Sequence, residues 1–212
     1  MLFFTNIFQF RLINKLKPLL LLFIFSCYLN ANAQFQINGT AAQIDCKCYQ
    51  LTSNLSNQAG SVWNLFQIDL TQPFDFSFDV FLGCNNTSQW VGADGIVFGL
   101  QPIGTNVGNT AGGAMGMGGV NPSLGVFIDT WQNPSHNDPL NDHISINING
   151  DQFHNSPNNL AGPFDLGEIE DCAFHTLRVV WTPTIDTYTV FFDGNIVLIH
   201  VADIVNTIFN GN

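Results

Sequence analysis

From about residue 34 onward the 212-residue chain reads as an all-β sandwich. Three features carry that reading. Apolar residues recur with period two, helical periodicity is nearly absent, and turns rich in Asn, Gly, Ser and Pro punctuate the strands at short intervals. Many short strands so punctuated bury one face of each sheet against another sheet.

The N-terminal stretch MLFFTNIFQFRLINKLKPLLLLFIFSCYLNANA stands apart. Arg11, Lys15 and Lys17 precede an apolar run from Leu19 to Phe25, and Ala31-Asn32-Ala33 follows. A basic region, a short apolar region and an A-x-A site describe a secretory signal peptide, cleaved after Ala33. The run is too short for a comfortable membrane span. Cys27 offers a second reading as a lipoprotein acceptor, but Phe25 and the later A-x-A fit it poorly. The expected organisation is a signal peptide over 1–33 and one domain over 34–212, in a secreted or cell-surface protein.

All three of those cations lie in the leader and none of the acids does. Residues 34–212 therefore keep Lys47 and Arg178 against 16 acidic residues, a formal −14. Such a surface does not seek nucleic acid or anionic lipid. It can serve hard cations, although solubility alone explains most of these acids. Four cysteines remain, Cys46, Cys48, Cys84 and Cys172. Export favours disulfides. Cys46 and Cys48 are too close to pair easily with each other, so each is expected to reach elsewhere.

The strand patterns follow in order. PFDFSFDVFLG sets Phe74, Phe76, Phe78 and Val80 on one face and Asp75, Ser77 and Asp79 on the other. GIVFGL and LGVFID are short apolar runs bounded by Gly, as in strands from the middle of a sandwich. HISININGD puts Ile144, Ile146 and Ile148 on one face. HTLRVVWTP and TYTVFFDGNIVLIHV form a hairpin-like pair with Asp193-Gly194 as a turn. NNTSQ, GTNVGNTAGG, NPSHNDP and HNSPNNLAGP read as turns, and DIVNTIF as a helical turn. The chain stops at FNGN directly after a strand pattern. A sandwich normally finishes on a paired strand, so the domain is expected to be C-terminally incomplete.

The stretch GVFIDTWQNPSHNDPLNDHISI concentrates Asp129, Asn133, Asp138, Asp142 and His143 in one loop. Calcium takes about six to eight oxygens at about 2.3–2.6 Å. Asp129, Asn133 and Asp138 supply three side-chain oxygens within ten residues, and the prolines stiffen the loop. His143 adds an imidazole, which suits transition metals better than calcium. There is no EF-hand pattern.

The order D-T-W-x-N, then D-P, then H-I resembles the metal loop of the legume-type (L-type) lectins. Upstream, GADGIVFGLQP resembles that family's A-D-G-I-A-F strand, and GGAMG its Gly-rich loop. The three motifs span residues 93 to 146, and alternating strands extend the likeness over most of 35 to 200. QINGTAAQIDCKCYQLT and FDFSFDVFLGC resemble the secreted bacterial branch. The resemblance implies a concanavalin-like jelly roll of two antiparallel sheets.

It also implies roles. Asp129 would bridge two metal positions. Asn133, Asp138 and the Trp131 carbonyl would complete a Ca2+ site. Asp138 and His143 would face a second position, which holds Mn2+ in plant members. There the family pattern is Glu-x-Asp, whereas Phe127-Ile128-Asp129 puts Phe in place of Glu. Losing one anionic ligand of four weakens a Mn2+ site severely and leaves His143 as an ordinary strand-start residue. Asp94 would accept from two sugar hydroxyls, the Gly113 N–H and the Asn133 amide would donate, and Trp131 would stack on the ring. The Ala93–Asp94 peptide is cis in the family. His136, His154, His175 and His200 have no placed partners in this reading.

The function implied is calcium-dependent carbohydrate binding without catalysis, with glycans or polysaccharides as partners. A homodimer, or membership of a larger surface protein, is compatible with it. The alternative is a structural or adhesive module with a degenerate sugar site, which Phe127 favours. A glycoside hydrolase on the same fold needs two carboxylates about 5–5.5 Å apart in its retaining form. Hydrolases of this fold carry E-x-D-x-x-E on one strand, but F-I-D-T-W-Q has neither Glu. The only two glutamates, Glu168 and Glu170, fall in a loop.

Overall fold

A computed structural model describes residues 34–84, 86–87, 90–108 and 110–211. The expected signal peptide lies outside the described residues. Two four-stranded antiparallel sheets form the body. The first runs in the order β11-β10-β9-β8, from β8 (Gly95–Leu100), β9 (Leu124–Asp129), β10 (Asp142–Ile148) and β11 (Asn159–Gly167). The second runs β14-β13-β12-β5, from β5 (Phe74–Phe81), β12 (Phe174–Thr182), β13 (Thr187–Phe192) and β14 (Asn195–Val201). Short pairs complete it: β1 (Phe35–Gly39) with β4 (Gly60–Asn64), β2 (Ala42–Asp45) with β3 (Cys48–Gln50), and β6 (Asn86–Thr87) with β7 (Trp90–Val91). α1 (Ile204–Thr207) is the expected helical turn, capped by Asp203.

The sheets meet through their apolar faces. Phe78 of β5 lies 5.4 Å, ring to ring, from Phe98 of β8, and Phe76 lies 6.1 Å from the same ring. In β5 the alternation read from the sequence holds: Phe78 and Val80 are buried while Asp75, Ser77 and Asp79 are exposed. Trp181 is buried and donates its indole N–H to the Leu70 carbonyl at 2.7 Å. The β13–β14 hairpin turns at Asp193-Gly194, both at positive φ, as expected for a two-residue turn.

Several expectations need correction. β10 is buried on both faces, so Ser145 and Asn147 are as enclosed as Ile144 and Ile146. HNSPNNLAGP is only partly a turn, because β11 begins at Asn159 and runs through Pro163. β11 ends the first sheet, where a proline costs no ladder bond on the open side. GIVFGL, as β8, is buried inside the sandwich as expected, although it stands at the other edge of its sheet. Cys84 pairs with Cys172, 88 residues on, whereas Cys46 and Cys48 are free. Cys46 is exposed in the two-residue β2–β3 turn, and Cys48 opens β3.

The glycine-rich segment after β8 is pinned rather than loose. Val107 O accepts from Trp63 Nε1 at 2.8 Å and from Ser61 Oγ at 3.1 Å, and Thr105 O accepts from Asn38 at 2.7 Å. Met117 is buried beneath it. Gly113 is held on the outer side of this anchored loop, in a 3-10 turn over Gly112–Ala114.

Candidate functional site

The metal loop follows from strand register. β9 and β10 pair antiparallel with Asp129 directly opposite His143, and β8 pairs with β9 so that Gly95 faces Asp129. A Cβ at Gly95 would overlap the Ile128 carbonyl, so only glycine lets β8 start this close. The Ala93–Asp94 peptide just before it is cis, as the resemblance implied. The Asp94 carbonyl accepts the Thr130 N–H at 3.0 Å, which ties this segment to the end of β9.

Between β9 and β10 the chain folds onto its own carboxylates. Asp129 Oδ1 accepts the Trp131 N–H at 2.9 Å, and Asp138 Oδ2 accepts the Asn133 N–H at 2.7 Å. The Asn133 side-chain amide lies 3.2 Å from the Trp131 carbonyl. Pro134–His136 makes a single 3-10 turn that carries the chain back toward Asp138. The expected oxygen donors are thus drawn together: Asp129, the Trp131 carbonyl, Asn133 and Asp138.

Their electrostatics suit a cation. Burial pushes the Asp129 carboxyl up to about 7, and the Asp138, Asp94 and Asp142 carboxylates add to the rise. Burial also raises Asp94. Asp138 Oδ1 is enclosed and has no hydrogen-bond partner among the described residues. Buried anionic oxygens without partners are costly unless an ion satisfies them. This oxygen-rich set fits a hard cation such as calcium.

The expected second position does not fit the family's set. Phe127 is 1% exposed, and its ring lies over Gly125, so it brings no donor to Asp129. His143, however, is not an idle strand residue. Its Nε2 stands 3.7 Å from Asp138 Oδ1, 4.0 Å from Asp129 Oδ2 and 2.9 Å from the Nε2 of His154. His154 Nε2 in turn stands 3.2 Å from Asp138 Oδ1, at an angle that makes no hydrogen bond. Asp138, His143 and His154 form a group whose donor atoms all lie within 4.8 Å. Burial lowers His143, and burial with the neighbouring His143 lowers His154 to about 4, so both rings are neutral at pH 7.

The expected sugar-contacting residues face the outer side of the same loop. Trp131 is 43% exposed and Asp94 is half-buried. A Cβ at Gly113 would sit 3.9 Å from the Asn133 amide nitrogen, 3.7 Å from His136 and 3.8 Å from Gln152. Gly113 and Asn133 are therefore neighbours across the loops.

Sequence reading assigned nothing to His154, His136, Gln152 or Glu170. His154 and Gln152 arrive because the segment after β10 folds back onto the β9–β10 loop, with the His154 N–H bonded to the carbonyl of His136 in that loop at 2.9 Å. Glu170 is buried and accepts the N–H of Gly92, two residues before Asp94, and burial and Asp142 push its carboxyl up to about 7. A polar residue in a turn-rich stretch shows no local sign of such burial.

A family model described as legume lectin beta-barrel domain matches residues 28–212. The galactose-binding lectin of Arachis hypogaea is 35% identical over 98 residues, 42% of this chain and 36% of that lectin. The pesticidal crystal protein Cry22Aa of Bacillus thuringiensis is 28% identical over 134 residues, 63% of this chain but 18% of that protein. The chain thus spans well under half the length of either curated relative. Among solved structures, a lectin from Bauhinia forficata in complex with GalNAc superposes with a TM-score of 0.64. It is 23% identical and covers 84% of this chain and 82% of its own. That likeness shows the fold. By its matched domain, the chain belongs to the L-type lectins.

Proposed function

We propose that the protein is a secreted, calcium-dependent carbohydrate-binding module of the bacterial branch, with no catalysis. The observation that carries this reading is the position of Asn133. Its amide sits at the junction of the carboxylate loop and the Gly113 loop, 3.2 Å from the Trp131 carbonyl and 3.9 Å from where a Gly113 side chain would begin. The amide's oxygen and nitrogen exchange places by a half-turn, so one residue can serve an ion and a hydroxyl.

Each further residue has a chemical task. Asp94, half-buried and poor in solvation, accepts hydroxyl protons. Gly113 offers its backbone N–H, with room where a side chain would stand. Trp131 presents an exposed ring to the C–H face of a sugar. Asp129, Asp138, Asn133 and the Trp131 carbonyl would hold calcium, which supplies charge balance and a rigid cross-link for the loop. The absence of both catalytic glutamates from Phe127–Gln132 supports binding rather than hydrolysis. The peanut relative's name, a galactose-binding lectin, and the GalNAc complex make galactose-type sugars the first probes.

The test is a glycan array read with calcium and with chelator, alongside Trp131 fluorescence. Binding in calcium that vanishes with chelator and in Asn133→Ala supports the reading. A folded protein that binds no glycan in either condition overturns it and leaves a structural or adhesive module.

A further inference from the structure

We propose that Asp138, His143 and His154, with Asp129 at the rim, form a second metal site that takes zinc, His154 supplying the ligand that Phe127 cannot. The site goes beyond the calcium-dependent reading and does not rest on it.

The argument begins with enclosure. The side chains of Asp138, His143 and His154 are 0%, 1% and 3% exposed. Three polar groups so deep need partners. Asp138 Oδ1 has no hydrogen bond, and the two Nε2 atoms face each other at 2.9 Å. Separations of 2.9–3.7 Å among these three atoms suit ligands that share one ion at about 2.0–2.2 Å.

Donor chemistry then selects the ion. Two imidazoles and one or two carboxylates suit zinc and its late first-row neighbours, whereas manganese prefers oxygen-rich octahedra. Phe127 removes an oxygen and His154 brings a nitrogen, and both changes move the preference the same way. The fold also supplies outer contacts. His143 Nδ1 faces the Asn141 carbonyl at 3.3 Å, so its proton sits there and Nε2 keeps a lone pair. His154 Nδ1 faces the Asn159 amide at 3.0 Å. The same Asn159 nitrogen donates to Asn147 Oδ1 at 3.1 Å, which fixes the amide beside the ring.

The test uses tag-free protein at saturating calcium. Zinc is titrated in competition with a chromophoric chelator, manganese is titrated in parallel, and zinc-soaked crystals are measured at the zinc absorption edge. The expected results are one tight zinc per chain, manganese at least tenfold weaker, and an anomalous peak in contact with both Nε2 atoms. His154→Ala should lose at least tenfold in zinc affinity while its calcium-dependent melting shift persists, which shows that it is folded. Zinc affinity unchanged in His154→Ala, a preference for manganese, or no peak between the imidazoles would overturn the proposal. A lost calcium response with zinc binding intact would instead count against the proposed function alone.

Discussion

The Glu170 carboxylate accepts the Gly92 N–H at 3.2 Å, across 78 residues, and so braces the segment that carries Asp94. Glu170 is 1% exposed, and Asp142 stands near enough to oppose its charge. Cys172, two residues further on, is bonded to Cys84, eight residues before Gly92. A buried acid thus sits behind the candidate sugar site rather than in it.

Its titration gives a signed prediction. Folding raises the Glu170 carboxyl from an ordinary 4.5 to about 7. Between these values the folded state binds the extra proton, so this group's contribution to stability falls as pH rises from about 4.5 through about 7. Glutamine stays neutral throughout and imitates the protonated acid. Glu170→Gln should therefore melt higher than wild type at pH 8, by about 2 kcal/mol, with the gain shrinking to nothing near pH 4. Thermal unfolding at pH 4, 6 and 8 checks it. A gain that is independent of pH would mean that folding does not shift the Glu170 carboxyl.

The same contact makes Gly92 sensitive. A Cβ there would overlap the Glu170 carboxylate. Gly92→Ala should cost about 1–3 kcal/mol and weaken sugar binding by displacing Asp94. Shortening the acid relieves the overlap, so Gly92→Ala with Glu170→Ala should be less destabilised than the two single effects added together. Chemical denaturation of all four proteins measures this coupling, and strict additivity would refute the overlap.

The reach of the sequence has a physical limit that these residues illustrate. Period two in β5 and the Asp129–Asn133–Asp138–His143 spacing are local, so fold class and most oxygen donors were legible. Asp129 and His143 meet because two neighbouring strands pair in register, which the loop length permits. His154 and Gln152 enter through a return turn that period and spacing do not encode. Glu170 with Gly92, and Cys84 with Cys172, are joined by sheet packing over 78 and 88 residues. Phe127 is where this chain parts from the family pattern, and the approach of His154 to Asp138 and His143 has no counterpart in the local spacing.

Calcium should stabilise the fold. An ion that binds only the native loop adds about 2.7 kcal/mol at a hundredfold excess over Kd. For a domain of this size that is a rise of about 5–10 °C in Tm. Asp129→Asn should remove most of the rise, since it deletes the charge that Trp131 N–H and the neighbouring carboxylates surround. Calorimetry with calcium and with chelator reads both proteins. An equal shift in Asp129→Asn would place the ion elsewhere.

Gly113 separates sugar binding from folding. Its φ is not in the left-handed region, and a Cβ would meet its nearest neighbours at 3.7 Å or more, ordinary van der Waals contact. Gly113→Ala should therefore keep the wild-type Tm and calcium response. The added methyl stands between the N–H and an approaching hydroxyl, beside the Asn133 amide, so sugar affinity should fall at least tenfold. Trp131→Ala should also lose affinity without loss of stability, because its exposed ring leaves no cavity in the core. Titration with the best glycan from the array, monitored by calorimetry, compares the two. If Gly113→Ala binds as tightly as wild type, the sugar does not approach this loop, and the Asn133 junction serves the ion alone.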